Sequence, residues 1–231
     1  MSDTARTLFD PQLVPVLWAD HDLPAVDADS LQPEVLRRRF ISPPHWSPEL
    51  MGEPRFLDRE PAQAAVLIPI VTHPQPTVLL TQRAAHLSTH SGQIAFPGGK
   101  CDPGDADAVA TALREAHEEI GLDPTQVEVL GCLPTYVTGS MFHITPVVGL
   151  VAAGTPWRAH PREVSDVFEV PLHFLMNPAH HRHHRVRWQG VDRHWLSMPY
   201  PQPLSGPTQE VRFIWGATAA MLRNLYGFLR A

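Results

Sequence analysis

The sequence predicts an α/β protein of mixed strands and two main helices, and three observations predict it. Residues 64–72 (Ala-Ala-Val-Leu-Ile-Pro-Ile-Val-Thr) and 77–81 are β-rich and are joined by His73-Pro74-Gln75-Pro76, so they read as a strand pair. Residues 106–120 carry Val109, Ala112, Leu113, Ala116 and Ile120 at helical spacing, an apolar side that should face the sheet. Residues 216–229 form a second amphipathic pattern, preceded by the apolar Phe213-Ile214-Trp215.

Taken in order, residues 1–60 hold Pro11, Pro15, Pro24, Pro33, Pro43, Pro44, Pro48 and Pro54. Proline limits long helices and interior strands, so this stretch reads as an extension packed on the domain formed by residues 61–231, with one short helix over 29–40. Residues 94–96 are a short strand entering a glycine turn. Asp105 or Asp107 can cap the helix that follows, and Gly121 ends it. Further strands are expected at 127–133, 145–151 and 164–170, and Pro171 opens a short helix to Met176. Residues 186–189 and 194–196 read as a hairpin about Gly190-Val191-Asp192. No repeat of solenoid type is visible.

The 231 residues, 43% hydrophobic and 18% charged, suit one soluble globular domain. No apolar run approaches the ~20 residues that span a bilayer. The N-terminus lacks a basic stretch followed by an apolar core, which predicts a cytoplasmic protein. Cys101 and Cys132 then read as reduced thiols rather than a disulfide framework. A net charge of −6 argues against a nucleic-acid binder, but a few arginines and a metal can reverse the field locally for an anionic small substrate. Monomer and homodimer both stay open.

The chemistry concentrates between Gly98 and Leu122. A glycine pair precedes an acidic turn, and the alanine-rich helix carries Glu115, Glu118 and Glu119 on one patch. Glutamates alone also suit a solvated helix face. The adjoining Gly98-Gly99, Arg114 and Gly121 favour a site. Like charges at this spacing destabilise an isolated helix, so a compensating cation is expected, and hard oxygen ligands favour Mg²⁺ or Mn²⁺.

This segment resembles the Nudix box, G-x5-E-x7-R-E-U-x-E-E-x-G-U, with U a bulky aliphatic. Gly99 takes the first glycine and residues 114–122 the second half. Asp105 stands at the first glutamate, eight residues instead of seven separate it from Arg114, and Ala116 replaces the aliphatic. Upstream, Leu79-Leu80-Thr81-Gln82-Arg83-Ala84, Gly92 and Phe96-Pro97-Gly98-Gly99 resemble the additional motif of the coenzyme A diphosphatase branch, with Ser88 where that motif has its second arginine.

The resemblance implies an α/β/α sandwich with a mixed sheet and a metal-dependent hydrolase acting on a small molecule. The substrate would be coenzyme A or its thioesters, cleaved to 3′,5′-ADP and 4′-phosphopantetheine or its acyl form. Hydrolysis of another nucleoside diphosphate derivative, such as ADP-ribose, and a Nudix-fold binding module without catalysis are the alternatives. Implied roles are Glu115 and Glu119 as principal metal ligands, Glu118 sharing a second ion, and Arg114 orienting the carboxylates. Gly98 and Gly99 would let backbone approach metal or phosphate. Arg83 would bind phosphate, with Lys100 or Arg162 as candidates to replace the charge missing at Ser88. Glu163 and Glu169 are candidates for a later assisting carboxylate. The departures at Asp105 predict that it caps the helix or braces the turn, outside the metal shell. His180, His181, His183 and His184, with Arg182 and Arg185, are expected on an exposed loop rather than at a transition metal.

Overall fold

The computed structural model describes residues 10–87, 91–188, 190–203 and 209–231. Ser88, and Gln189 at the end of the expected hairpin strand, lie outside the described residues.

The first sheet is built on β2 (Ala62–Val71), which runs parallel to β8 (Phe142–Val151) along its whole length, Ala62 opposite Phe142 and Val71 opposite Val151. β6 (Val127–Cys132) and the two-residue β7 (Tyr136–Val137) pair antiparallel with β8. On the other side β3 (Thr77–Arg83) pairs with β9 (Val164–Pro171) and with the short β4 (Ile94–Ala95), while β5 (Gly98–Lys100) lies on β2. A strand buried on both faces reads as a continuous apolar run, as β2 does.

Helix α2 (Ala108–Ile120) covers one face. Its Ala112, Ala116 and Ile120 pack on Leu67, Leu79, Val147 and Val151. The opposite face, with Ile68, Ile70, Val78, Leu80 and Val148, packs against α1 (Pro33–Ile41), the one-turn α3 (Leu172–Leu175) and the long α4 (Gly216–Arg230). The arrangement is the expected α/β/α sandwich. Asp107 caps α2, accepting from Ala110 N at 2.8 Å, and Gly121 ends it in the left-handed conformation at φ 64°. Helix α1 starts at Pro33 rather than residue 29, because proline at the first helical position follows an extended Gln32.

A second sheet, ordered β1-β10-β11-β12, contains the hairpin expected about Gly190-Val191-Asp192 and adds two strands, β1 and β12, that the sequence reading did not include. It comprises β1 (Val16–Ala19), β10 (Arg182–Trp188), β11 (Val191–Pro203) and β12 (Gln209–Trp215). β11 pairs with β10 through residues 191–197 and with β12 through 197–203, so two hairpins share one strand end to end. The histidine tract, expected on an exposed loop, instead enters β10, and His181, His183 and His184 are buried. The strand is covered by chain from the N-terminal extension: His184 bonds Val14 O at 3.0 Å and His183 donates to Asp20 Oδ2 at 2.8 Å. Among the described residues no helix is long and apolar enough to cross a membrane.

Candidate active site

β2 and β3 are neighbours only where Ile70 meets Val78 and Val71 meets Thr77. Beyond that point they diverge, and β4 and β5 fill the gap. Phe96-Pro97 crosses between them, held by Leu67 N on Pro97 O at 2.9 Å. The crossing lays Gly98 and Gly99 beneath the C-terminal half of α2. A side chain at Gly99 would put its Cβ 2.5 Å from the carboxyl carbon of Glu115, so only glycine lets the carboxylate lie on the strand.

Glu119, on the buried side of α2 beside Ala116 and Ile120, is only 3% exposed. Gly98 N donates to its Oε2 at 3.1 Å, and Arg83 Nη1 lies 3.7 Å from Oε1. Burial pushes its carboxyl up to about 7 against the pull of the Gly98 amide and Arg83, and the negative charges of Glu115 and Glu163 push the same way. Glu115 is also raised, first by burial, with Arg114 opposing and Glu118 and Glu163 adding. Two acids are thus held together where ionising both is costly.

Arg114 organises the rest. Its Nη1 donates to Glu115 Oε1 at 2.9 Å and Glu118 Oε2 at 3.0 Å, its Nη2 to Lys100 O at 3.0 Å. Nε and Nη2 both donate to Asp105, each at 3.0 Å. Asp105 further accepts from Asp102 N and Thr111 Oγ1, and Arg114 holds its carboxyl well below the usual range. Asp105 therefore braces the turn and anchors Arg114, while the cap belongs to Asp107. The shorter acid and the extra residue before Arg114 fit that geometry.

β9 runs antiparallel to β3, which separates the two later acids. Glu163 precedes the pairing of Val164 with Arg83; its carbonyl accepts from Ala84 N at 2.9 Å, and its charge is felt by both Glu115 and Glu119. Glu169 sits opposite Leu79, bonded to Thr77 Oγ1 and to His73 Nε2, away from the carboxylates. Arg162 and Lys100 are exposed. Arg83 Nε is buried without a hydrogen-bond partner among the described residues. The Arg83–Glu119 contact was missed from sequence, because 36 positions of chain separate them and no periodicity links a strand end to a helix.

The donor set fits a hard divalent cation. Glu119 is buried and Glu115 partly so, the ionisation of each is opposed by burial and by the other, and a cation relieves both costs. Among the described residues no three acidic, histidine or cysteine side chains converge on one point. Glu118, half exposed, is drawn onto Arg114 instead. Mg²⁺ characteristically takes one or two carboxylates and completes its shell with water and substrate phosphate.

The family model described as NUDIX domain matches residues 61–205. The chain is 44% identical over 164 residues to the uncharacterized Nudix hydrolase NudL of Yersinia pestis and of Yersinia pseudotuberculosis, covering 71% of this chain and 77% of each relative. Among solved structures it is similar to the Nudix hydrolase RenU of M. smegmatis, at 24% identity and TM-score 0.42 over 49% of this chain and 73% of that one. A C. elegans Ap4A hydrolase matches at 21% identity and TM-score 0.42, over 51% and 85% of the two chains. From the family match and the identity to NudL, the chain belongs to the Nudix hydrolase family and is a diphosphate hydrolase.

Proposed function

We propose that the protein hydrolyses the diphosphate linkage of coenzyme A or its thioesters, releasing 3′,5′-ADP and 4′-phosphopantetheine or its acyl form, with Mg²⁺ or Mn²⁺ as cofactor. The observation that carries this reading is the Arg83–Glu119 approach at 3.7 Å. It joins the arginine of the upstream motif to the acid of the Nudix box at one spot. A divalent ion, when bound, would neutralise phosphate charge and lower the pKa of its bound water. Glu115 and Glu119, fixed by Arg114 and by the Gly98 amide, would supply the charge that holds it. Arg83, whose guanidinium approaches Glu119, supplies a cation for the diphosphate. A water oxygen bonds to phosphorus, the bridging P–O bond breaks, and its electrons leave on the departing phosphate. The water proton passes to a carboxylate, for which Glu163 is suited: it is near the pair yet only partly buried.

Ser88, in place of the motif arginine, favours a second reading in which the substrate is ADP-ribose or a dinucleotide. Incubation with coenzyme A and each metal, with products resolved by mass, tests the first. The expected products are 3′,5′-ADP and 4′-phosphopantetheine, lost on chelation. Cleavage of ADP-ribose or a dinucleotide but not coenzyme A selects the second reading. No turnover of any of them makes the chain a binding module.

A further inference from the structure

One face of the sheet carries a pair of cations outside the carboxylate site. The guanidinium of Arg59 lies over the Phe142 ring, 4.1 Å from its centroid, and Lys100 Nζ approaches the same ring at 5.7 Å. Nε and Nη2 of Arg59 are both buried without a hydrogen-bond partner, and neither cation pairs with a carboxylate among the described residues. Two like charges gathered on one ring, with buried donors unmet, call for an anion that the chain itself does not provide.

The cluster adjoins the active site by construction. Lys100 follows Gly99, on which the Glu115 carboxylate rests, and the Lys100 carbonyl accepts from Arg114. Across β2, Ala64 is opposite both Lys100 and Ile144, and Ala62 is opposite Phe142. Lys100 and Phe142 therefore share the sheet face turned away from α2. Among the described residues β5 has β2 as its strand partner, and its other edge is met by side chains of α2, Gly98 N donating to Glu119 and Lys100 O accepting from Arg114. A ligand anchored at Glu115 and Glu119 reaches Lys100 by crossing that edge, since Gly99 and Lys100 are one peptide unit, ~3.8 Å, apart. The ring is fixed by its turn: Met141, with φ 65°, is the one described non-glycine residue at positive φ, and Phe142 N donates to Thr138 Oγ1 at 3.0 Å. Backbone strain of this kind persists where the surroundings impose it.

We infer that Arg59 and Lys100, held on Phe142, form a subsite for a phosphomonoester that the substrate carries in addition to its scissile diphosphate. The inference rests on the coenzyme A reading for the identity of that group, the 3′-phosphate. It assigns Arg83 to the diphosphate and the extra phosphate to a different pair of cations.

The test is calorimetric titration of adenosine 3′,5′-bisphosphate and adenosine 5′-monophosphate into metal-free wild type, Lys100→Gln, Arg59→Gln and Arg59→Lys, each checked by thermal melting. The 3′-phosphate should tighten binding to wild type by about tenfold or more, the scale of one charge-assisted hydrogen bond. That gain should vanish in Lys100→Gln and Arg59→Gln and partly return in Arg59→Lys. Inorganic phosphate should compete with the bisphosphate in wild type and lose that competition in Lys100→Gln. Lys100 is exposed, so its variant reports on the subsite even where Arg59→Gln melts early. Equal affinity of wild type for the two nucleotides overturns the inference, as does a gain that survives in Lys100→Gln. Discrimination between the nucleotides without turnover of coenzyme A upholds the subsite and removes the coenzyme A reading, so the two failures are told apart.

Discussion

Replacing Glu119 with glutamine should stabilise the metal-free protein at alkaline pH while disabling it. The Glu119 carboxyl holds its proton to about pH 7, against an ordinary value of 4.5. Between those two pH values the folded protein binds more protons than the unfolded chain, so stability falls as pH rises through the window. At ~1.36 kcal/mol per pKa unit the accumulated cost is on the order of 3 kcal/mol by pH 8. Glutamine never ionises, and its amide oxygen still accepts from Gly98 N. It removes the cost and keeps the bond, although Arg83 loses its anion, so the gain is at most of this size. For a chain of this length 1 kcal/mol shifts the midpoint by about 2–4 °C, so the variant should melt up to roughly 6–12 °C above wild type at pH 8 in chelator. At pH 5 the two should nearly coincide. Added Mg²⁺ should raise the midpoint of wild type much more than that of the variant, and turnover of the variant should fall by about two to four orders of magnitude. A variant that melts below wild type by the same margin at both pH values refutes the reasoning, because the carboxylate would then be stabilising as an anion. Full activity in the variant would remove Glu119 from the metal site.

Gly99→Ala drives a Cβ into the flexible end of Glu115, so melting should change little while turnover drops by about 10²-fold, the cost of misplacing a positioned group by an ångström. Arg83→Ala should lower kcat/KM by the equivalent of ~1.5–3 kcal/mol for coenzyme A and for its 3′-dephospho form alike; a loss confined to coenzyme A would move Arg83 to the 3′-phosphate. Asp105→Asn should retain metal affinity in titrations and lose about tenfold or less in rate, since Arg114 keeps part of its anchor. A collapse of metal affinity with an unchanged melt would put Asp105 in contact with the ion. Asp107→Ala should cost ~0.5–2 kcal/mol in unfolding experiments by removing the cap of α2.

Helix α2 was legible because its apolar period, its aspartate cap and its terminal glycine agree, and β2 because a twice-buried strand cannot hide its composition. The carboxylates, Arg114 and the glycine pair were legible for the same local reason: they fall within one turn and one helix. Of the second sheet only the hairpin of β10 and β11 was; β1, β12 and the far half of β11 were not. β11 carries Pro199, Pro201 and Pro203, residues that argue against an interior strand. They fit because β11 changes partner at Ser197 and, among the described residues, has β12 alone as strand partner from there on, so alternate prolines can turn their missing N–H toward the unpaired side. The histidine tract misled because polarity was read as exposure; the polar groups that cover it come from Val14 and Asp20, over 160 residues away. Arg59 had no local signal, its aromatic partner lying beyond the whole of α2.

The buried Arg223 on α4 has a consequence for how the chain is made. It is 4% exposed and meets Asp20 at 3.0 Å and Glu49 at 2.6 Å, the latter across 174 positions. Both acids precede the family-matched segment and the arginine follows it. Stranding a buried charge costs ~3–5 kcal/mol, so a chain that keeps α4 but lacks residues 1–60 would bury Arg223 without its partners and lose stability on that scale. During synthesis Asp20 and Glu49 wait for their counter-charge until residue 223 has left the ribosome. The proline-rich start, which cannot collapse into long helices of its own, is well suited to waiting.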